Sequence, residues 1–81
     1  MILYAYPECP FCAMVLHEIE DLGLKIEMRN TRVNAGYSKE LRGLTGRTQV
    51  PCLVIDGKPL LESADIIDYL RSKNQDNGSG S

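Results

Sequence analysis

Two thiols separated by two residues, Cys9 and Cys12 in Cys9-Pro10-Phe11-Cys12, are the side chains of this sequence best suited to chemistry. They follow an apolar run and open a segment of helical periodicity, so both fall at a helix start, where they can stand side by side and exchange a disulfide. A helix N-terminus presents unpaired N–H groups and a partial positive charge, which favour a thiolate over a thiol. Cys9 is expected at the N-cap, its sulfur toward the amides of Phe11 and Cys12. Pro10 then holds the first helical position, where its missing N–H would have had no partner anyway. Cys12 falls one turn in, on the core-facing side, and is expected to be less exposed and to have the higher pKa. The asymmetry predicts roles: Cys9 attacks a disulfide and Cys12 resolves the product. Glu8 directly precedes Cys9, and a carboxylate close to a thiol raises its pKa. Use of both thiols as metal ligands would need a second ligand pair, for which only Cys52 and His17 remain. His17 lies on the polar side of its helix, so no metal site is expected.

The elements that must position these thiols follow from periodicity. Ile2-Leu3-Tyr4-Ala5-Tyr6 is a short apolar run, as in a strand buried on both faces. From Pro10 to about Leu22 the apolar residues Cys12, Val15, Leu16, Ile19 and Leu22 recur at helical spacing, and Gly23 stops the helix. Lys25 to Arg29 alternates, predicting a strand with Ile26 and Met28 toward the core. A second helix covers roughly Ala35 to Leu44, with Tyr37, Leu41 and Leu44 on one face. Cys52 to Ile55 forms a third strand, in which Cys52 is a small buried residue. Asp56-Gly57 signals a hairpin to a fourth strand near Pro59-Leu60-Leu61. Ser63 then caps a last helix with Asp65 in its first turn and Ile66, Ile67 and Leu70 on its apolar face. The order βαβαββα predicts an α/β fold, with a four-stranded mixed sheet flanked by three helices. Residues 1–73 are read as one domain. Residues 74–81 are read as a flexible tail, in which Gly78-Ser79-Gly80-Ser81 has the composition of an expression linker.

Bulk composition narrows the function classes. The net charge of −2 and the lack of a basic cluster argue against nucleic acid as a partner. No apolar run approaches the ~20 residues that span a bilayer, and no signal-peptide pattern opens the chain. Three cysteines is an odd count, which suits a reducing compartment with one working dithiol and one spare thiol. A cytoplasmic, monomeric protein without membrane contact is expected.

A strand, Cys9-Pro10-Phe11-Cys12 and a helix, followed by Val50-Pro51 ahead of a hairpin, resemble glutaredoxin within the thioredoxin fold. The tracts Gln49-Val50-Pro51 and Leu61-Glu62-Ser63-Ala64-Asp65-Ile66 resemble the N-terminal domain of glutathione transferases. The likeness runs over roughly residues 2–71. It implies a glutathione-dependent oxidoreductase that reduces protein disulfides and glutathionylated proteins, with glutathione as co-substrate and no tightly bound cofactor. It implies a cis peptide bond before Pro51 and catalytic roles for Cys9 and Cys12. It places the glutathione site at Cys9, Phe11, Gln49, Val50, Pro51, Glu62 and Ser63. Ser63 and its helix N-terminus would take the γ-glutamyl carboxylate, and Glu62 the ammonium group. Lys25, Arg29, Arg32, Arg42 and Arg47 are candidates for the glycine carboxylate, and Arg47 lies nearest Val50-Pro51. The sequence departs from the resemblance at Tyr6, where many glutaredoxins carry a basic residue. Two further readings are a dimer holding an iron–sulfur cluster through Cys9 and glutathione, which Pro10 disfavours, and a glutathione-binding module of a transferase-like protein.

Overall fold

The computed structural model describes residues 1–78, and side chains as far as Lys73. The elements run β1 (Ile2–Ala5), α1 (Pro10–Leu22), β2 (Glu27–Asn30), α2 (Ala35–Thr45), β3 (Cys52–Ile55), β4 (Lys58–Leu60) and α3 (Ser63–Gly78). This is the expected βαβαββα order. The strands form one sheet in the order β2-β1-β3-β4, parallel between β1 and β2 and antiparallel elsewhere. The fold is thioredoxin-like.

Strand alternation divides the interior into two layers. Leu3 and Ala5 of β1 and Leu53 of β3 face one side, where Cys12 and Val15 of α1 and Ile66 and Leu70 of α3 close over them; all seven have no exposed surface. Tyr4, Cys52 and Val54 face the other side and meet Leu41 of α2. The two central strands are thus buried on both faces, as the unbroken apolar runs require. Cys52 is one of these buried strand residues, and burial pushes its thiol pKa up.

Local chemistry sets the ends of the elements. Gly23 adopts the left-handed conformation (φ 65°), and Leu24 and Gly23 return their N–H groups to Ile19 and Glu20, closing α1. Asn34 caps α2 by accepting the Gly36 N–H at 2.8 Å. Asp56 and Gly57 both take positive φ (50° and 80°), the turn that two-residue hairpins favour.

Four expectations need correction. Met28 is 39% exposed, because β2 is an edge strand and its alternation points Met28 to a margin left uncovered. Leu44 is likewise 44% exposed, and α2 fully buries only Leu41. The fourth strand starts at Lys58 and ends before Leu61. Ser63 is the first helical residue of α3 rather than its cap, since the Ile66 N–H bonds the Glu62 carbonyl at 2.9 Å. The helix runs through Asn74 to Gly78, within the stretch read as a tail. The remaining residues 79–81 lie outside the described residues.

With so little apolar surface, α2 is held by a polar clamp. The Arg29 guanidinium donates to Glu27 and Glu40 at 2.7 Å each and to the Tyr4 hydroxyl at 3.2 Å. It also lies 5.8 Å and 5.7 Å from the Tyr4 and Tyr37 ring centroids. Tyr4 itself donates to Glu40 at 3.0 Å. On the opposite face Arg71 forks onto both oxygens of Glu18, at 3.0 Å each, and ties α3 to α1. No described helix is long and apolar enough to cross a membrane.

Candidate active site

The turn between β1 and α1 presents the dithiol. Cys9 is the N-cap of α1 with extended backbone (φ −85°, ψ 126°), and Pro10 opens the helix. The turn is closed by the Cys9 N–H donating to the Tyr6 carbonyl at 3.3 Å. Cys9 is half-buried, Cys12 is fully buried, and both are free thiols.

Their electrostatics diverge as the spacing predicts. The Cys9 pKa is lowered, first by the Cys12 N–H and further by the Cys12 thiol and the Phe11 N–H, against a partial burial that opposes them. Cys9 makes no side-chain cap hydrogen bond of good geometry, so this is the pull of directed N–H dipoles rather than of a fully formed bond. Burial, with the neighbouring Cys9 sulfur, pushes Cys12 up to about 11. Glu8 is exposed and is not among the groups that move Cys9, so its carboxylate does not raise the thiol as its position in sequence suggested.

These shifts have a direct readout. Alkylation with a neutral iodoacetamide reagent should modify Cys9 with an inflection below that of a free cysteine, while Cys12 and Cys52 stay unmodified at neutral pH until the chain is denatured. Because folding lowers the Cys9 pKa, its contribution to stability is present above the unfolded pKa and is lost as pH falls through the folded value. A Cys9 inflection at or above that of the denatured chain would contradict the directed-dipole account.

Beside the dithiol lies a groove of about 290 Å³ walled by Phe11, Gln49, Val50, Pro51, Leu61, Glu62 and Ser63. Phe11 comes from the first turn of α1, and Gln49 to Pro51 from the loop ahead of β3. Leu61 to Ser63 form the passage from β4 into α3. Six of the seven sequence-expected residues are thus brought together; the seventh, Cys9, stands two residues from Phe11 but does not wall the groove. Val50-Pro51 is a cis peptide bond, as the resemblance implied. The added wall, Leu61, was expected to end β4. The signal for it was its place directly before Glu62-Ser63, where a strand must give way to a helix.

The cations divide clearly. Arg29 is committed to Glu27 and Glu40, and Arg32 lies over the Tyr6 ring at 5.4 Å. Arg47 donates to Gln49 Oε1 at 3.3 Å, which puts it at the edge of the groove. His17 is exposed and pairs with Asp21 at 3.4 Å, away from the thiols. Among the described residues no three His, Cys, Asp or Glu side chains gather as metal ligands.

Known proteins locate this fold. A family model for the glutathione S-transferase N-terminal domain matches residues 3–78. Among solved structures, glutathione S-transferase isozyme E7 of Drosophila melanogaster is 32% identical over 90% of this chain and 34% of its own, with a TM-score of 0.73. The epsilon-class transferase of the housefly, Musca domestica, gives 28% over the same shares and the same TM-score. Transferase F7 of Populus trichocarpa gives 26% over 91% of this chain and 36% of its own, at 0.74. The chain therefore spans about a third of the length of the transferases it matches. No curated protein sequence matches it significantly. Matched to that family's model over nearly its whole length, the chain belongs to the glutathione S-transferase N-terminal domain family.

Proposed function

We propose that this chain is a glutathione-dependent thiol–disulfide oxidoreductase of glutaredoxin type. The observation that carries the reading is the contrast between the two thiols at the start of α1, Cys9 lowered and half-exposed, Cys12 buried and raised to about 11. A binding module has no use for that asymmetry; a two-step exchange does.

The chemistry balances as follows. Cys9 thiolate attacks one sulfur of a substrate disulfide, forming a Cys9–substrate disulfide and releasing the other sulfur as a thiolate. Cys12 then gives up its proton and attacks the Cys9 sulfur. The second substrate thiolate leaves, and Cys9–Cys12 holds the disulfide, oxidised by two electrons. Two glutathione molecules reduce it and depart as oxidised glutathione. For a glutathionylated protein the shorter route suffices: Cys9 takes the glutathionyl group, and a second glutathione removes it. The high pKa of Cys12 suits this order, since a protonated Cys12 does not expel the mixed disulfide before glutathione arrives.

The groove offers matching chemistry to a γ-glutamyl tripeptide. Ser63 and the first N–H groups of α3 suit its α-carboxylate, and Glu62 suits its ammonium group. Gln49, Val50 and Pro51 border an extended backbone, and Phe11 covers it. Glutathione is then a co-substrate, no cofactor is held tightly, and the working form is a cytoplasmic monomer that acts on protein disulfides or glutathionylated proteins.

The test is a glutathione-coupled assay with a small neutral disulfide. Wild type should turn it over, and Ser63→Ala should raise the KM for glutathione by about tenfold to a hundredfold, the loss of one hydrogen bond to a charged group at about 1.5–3 kcal/mol, while the Cys9 alkylation profile stays put. A second reading, a glutathione-binding module of a transferase, is favoured by the family match and by the third of a transferase that the chain spans. Conjugation of glutathione to an electrophile without disulfide turnover would select it.

A further inference from the structure

Outside the groove, one side of α2 from its first residue to Arg42, with the loop that follows the helix, forms a second hollow, about 360 Å³, walled by Ala35, Ser38, Lys39, Arg42 and Thr48. Its polar groups are two cations and two hydroxyls, with no carboxylate among them. Lys39 and Arg42 are exposed, and neither has a carboxylate within ion-pair distance among the described residues. Glu40, next to Lys39 in sequence, is turned to Arg29 and Tyr4 by the clamp on the other side of the helix. The clamp removes the one local anion that would neutralise the hollow. Arg29 and Arg71 are satisfied by carboxylates, so this positive patch stands out on a chain of net charge −2.

The hollow also adjoins the proposed active site. Thr48 walls the hollow and Gln49 walls the groove, so consecutive residues separate them, and Arg47 bonds Gln49 at that border.

We propose that the Lys39–Arg42 hollow docks an acidic segment of the protein whose disulfide or glutathionylated cysteine is presented to Cys9. This deepens the oxidoreductase reading and rests on it for the role of the docked partner. Carboxylates on Asp or Glu side chains are the ligand class that two cations flanked by Ser38 and Thr48 hydroxyls would select. Exposed charges of this kind act mainly on the rate of encounter and on the choice of partner, and salt screens them.

Two glutathionylated peptides test the proposal on the full chain. One carries three acidic residues a few positions from its cysteine, and the other carries glutamines there. Wild type should reduce the acidic peptide with a kcat/KM about tenfold higher at low ionic strength, and the preference should vanish at high salt. Lys39→Gln should lose much of the preference while reducing the neutral peptide as before, and adding Arg42→Gln should remove the rest of the preference. Equal rates on the two peptides, or a preference that survives both substitutions, overturns the proposal. If neither peptide is reduced, the oxidoreductase reading fails, and docking is decided by fluorescence anisotropy with cysteine-free versions of the peptides. Tighter binding of the acidic one, lost in the double variant, supports the hollow as an acidic-segment site; indistinguishable binding overturns it.

Discussion

Cys12→Ser, treated with oxidised glutathione, is expected to accumulate a stable adduct of one glutathione per chain, and Cys9→Ser to form none. Intact-mass spectrometry reads both. The first outcome follows because Cys9 is the thiol with directed N–H groups and solvent access, and Cys12, its resolving partner, is then absent. The second follows because Cys12 and Cys52 are fully buried with raised pKa values, so neither offers a thiolate at neutral pH. Wild type under the same conditions should instead pass to the Cys9–Cys12 disulfide, two hydrogen atoms lighter than the reduced chain, as oxidised glutathione leaves as two molecules of reduced glutathione. In turnover assays Cys9→Ser should lose all activity. Cys12→Ser should keep reversal of glutathionylation and lose reduction of protein disulfides that need the second thiol. An adduct on Cys12 or Cys52 in the Cys9→Ser chain would show that exposure and pKa do not set the order of attack.

Leu53→Ala should remove a large share of the stability of the fold and lower its melting temperature sharply. Leu53 sits in β3, between β1 and β4, with no exposed surface, and its side chain faces the layer closed by α1 and α3. Truncating a buried leucine costs about 2–5 kcal/mol, depending on how far the surroundings collapse. At about 0.05–0.15 kcal/mol per residue, a chain of this length is stable by roughly 4–12 kcal/mol, so one substitution removes a large share. The melting temperature should fall by about 4–8 °C for each kcal/mol lost. Thermal denaturation by circular dichroism checks it, with Phe11→Ala as the comparison. Phe11 is 59% exposed, so its truncation should barely move the melting temperature while opening one wall of the groove. Similar melting shifts for the two variants would refute the division between a core that carries stability and a rim that carries chemistry.

Tertiary context decided several details that local pattern could not reach. Alternation placed Met28 inward, and the facing is correct for its pairing with Leu3. What the pattern could not contain is that β2 ends the sheet, so no neighbour covers that position. Leu44 shows the same effect on α2, whose hold on the sheet comes from Arg29, Tyr4 and Glu40, residues far apart in sequence. The influence expected of Glu8 on Cys9 also failed for a spatial reason. Adjacency in sequence at a turn does not place a carboxylate against the sulfur, and the side chain extends into solvent, where water screens it. Leu61 joined the groove because β4 stops one residue early.

The sequence by itself determined the order of elements, the burial of the two central strands and the placing of Cys9 at a helix start with Cys12 one turn inside. These are legible because each depends on residues within a few positions of one another: apolar periodicity, a proline at the first helical turn, glycines where φ turns positive. That Phe11, Gln49-Val50-Pro51 and Glu62-Ser63 share one groove was implied by the family resemblance and by no local pattern; only the tertiary structure decided that Leu61 joins them while Cys9 does not wall the groove, that Glu40 is drawn away from Lys39, and that a positive hollow is left one residue beyond the groove. Those facts come from which strand lies beside which and which charge finds a partner across the sheet, and such pairings are made between segments 10 to 50 residues apart, roughly the loop lengths whose closure local preferences do not encode.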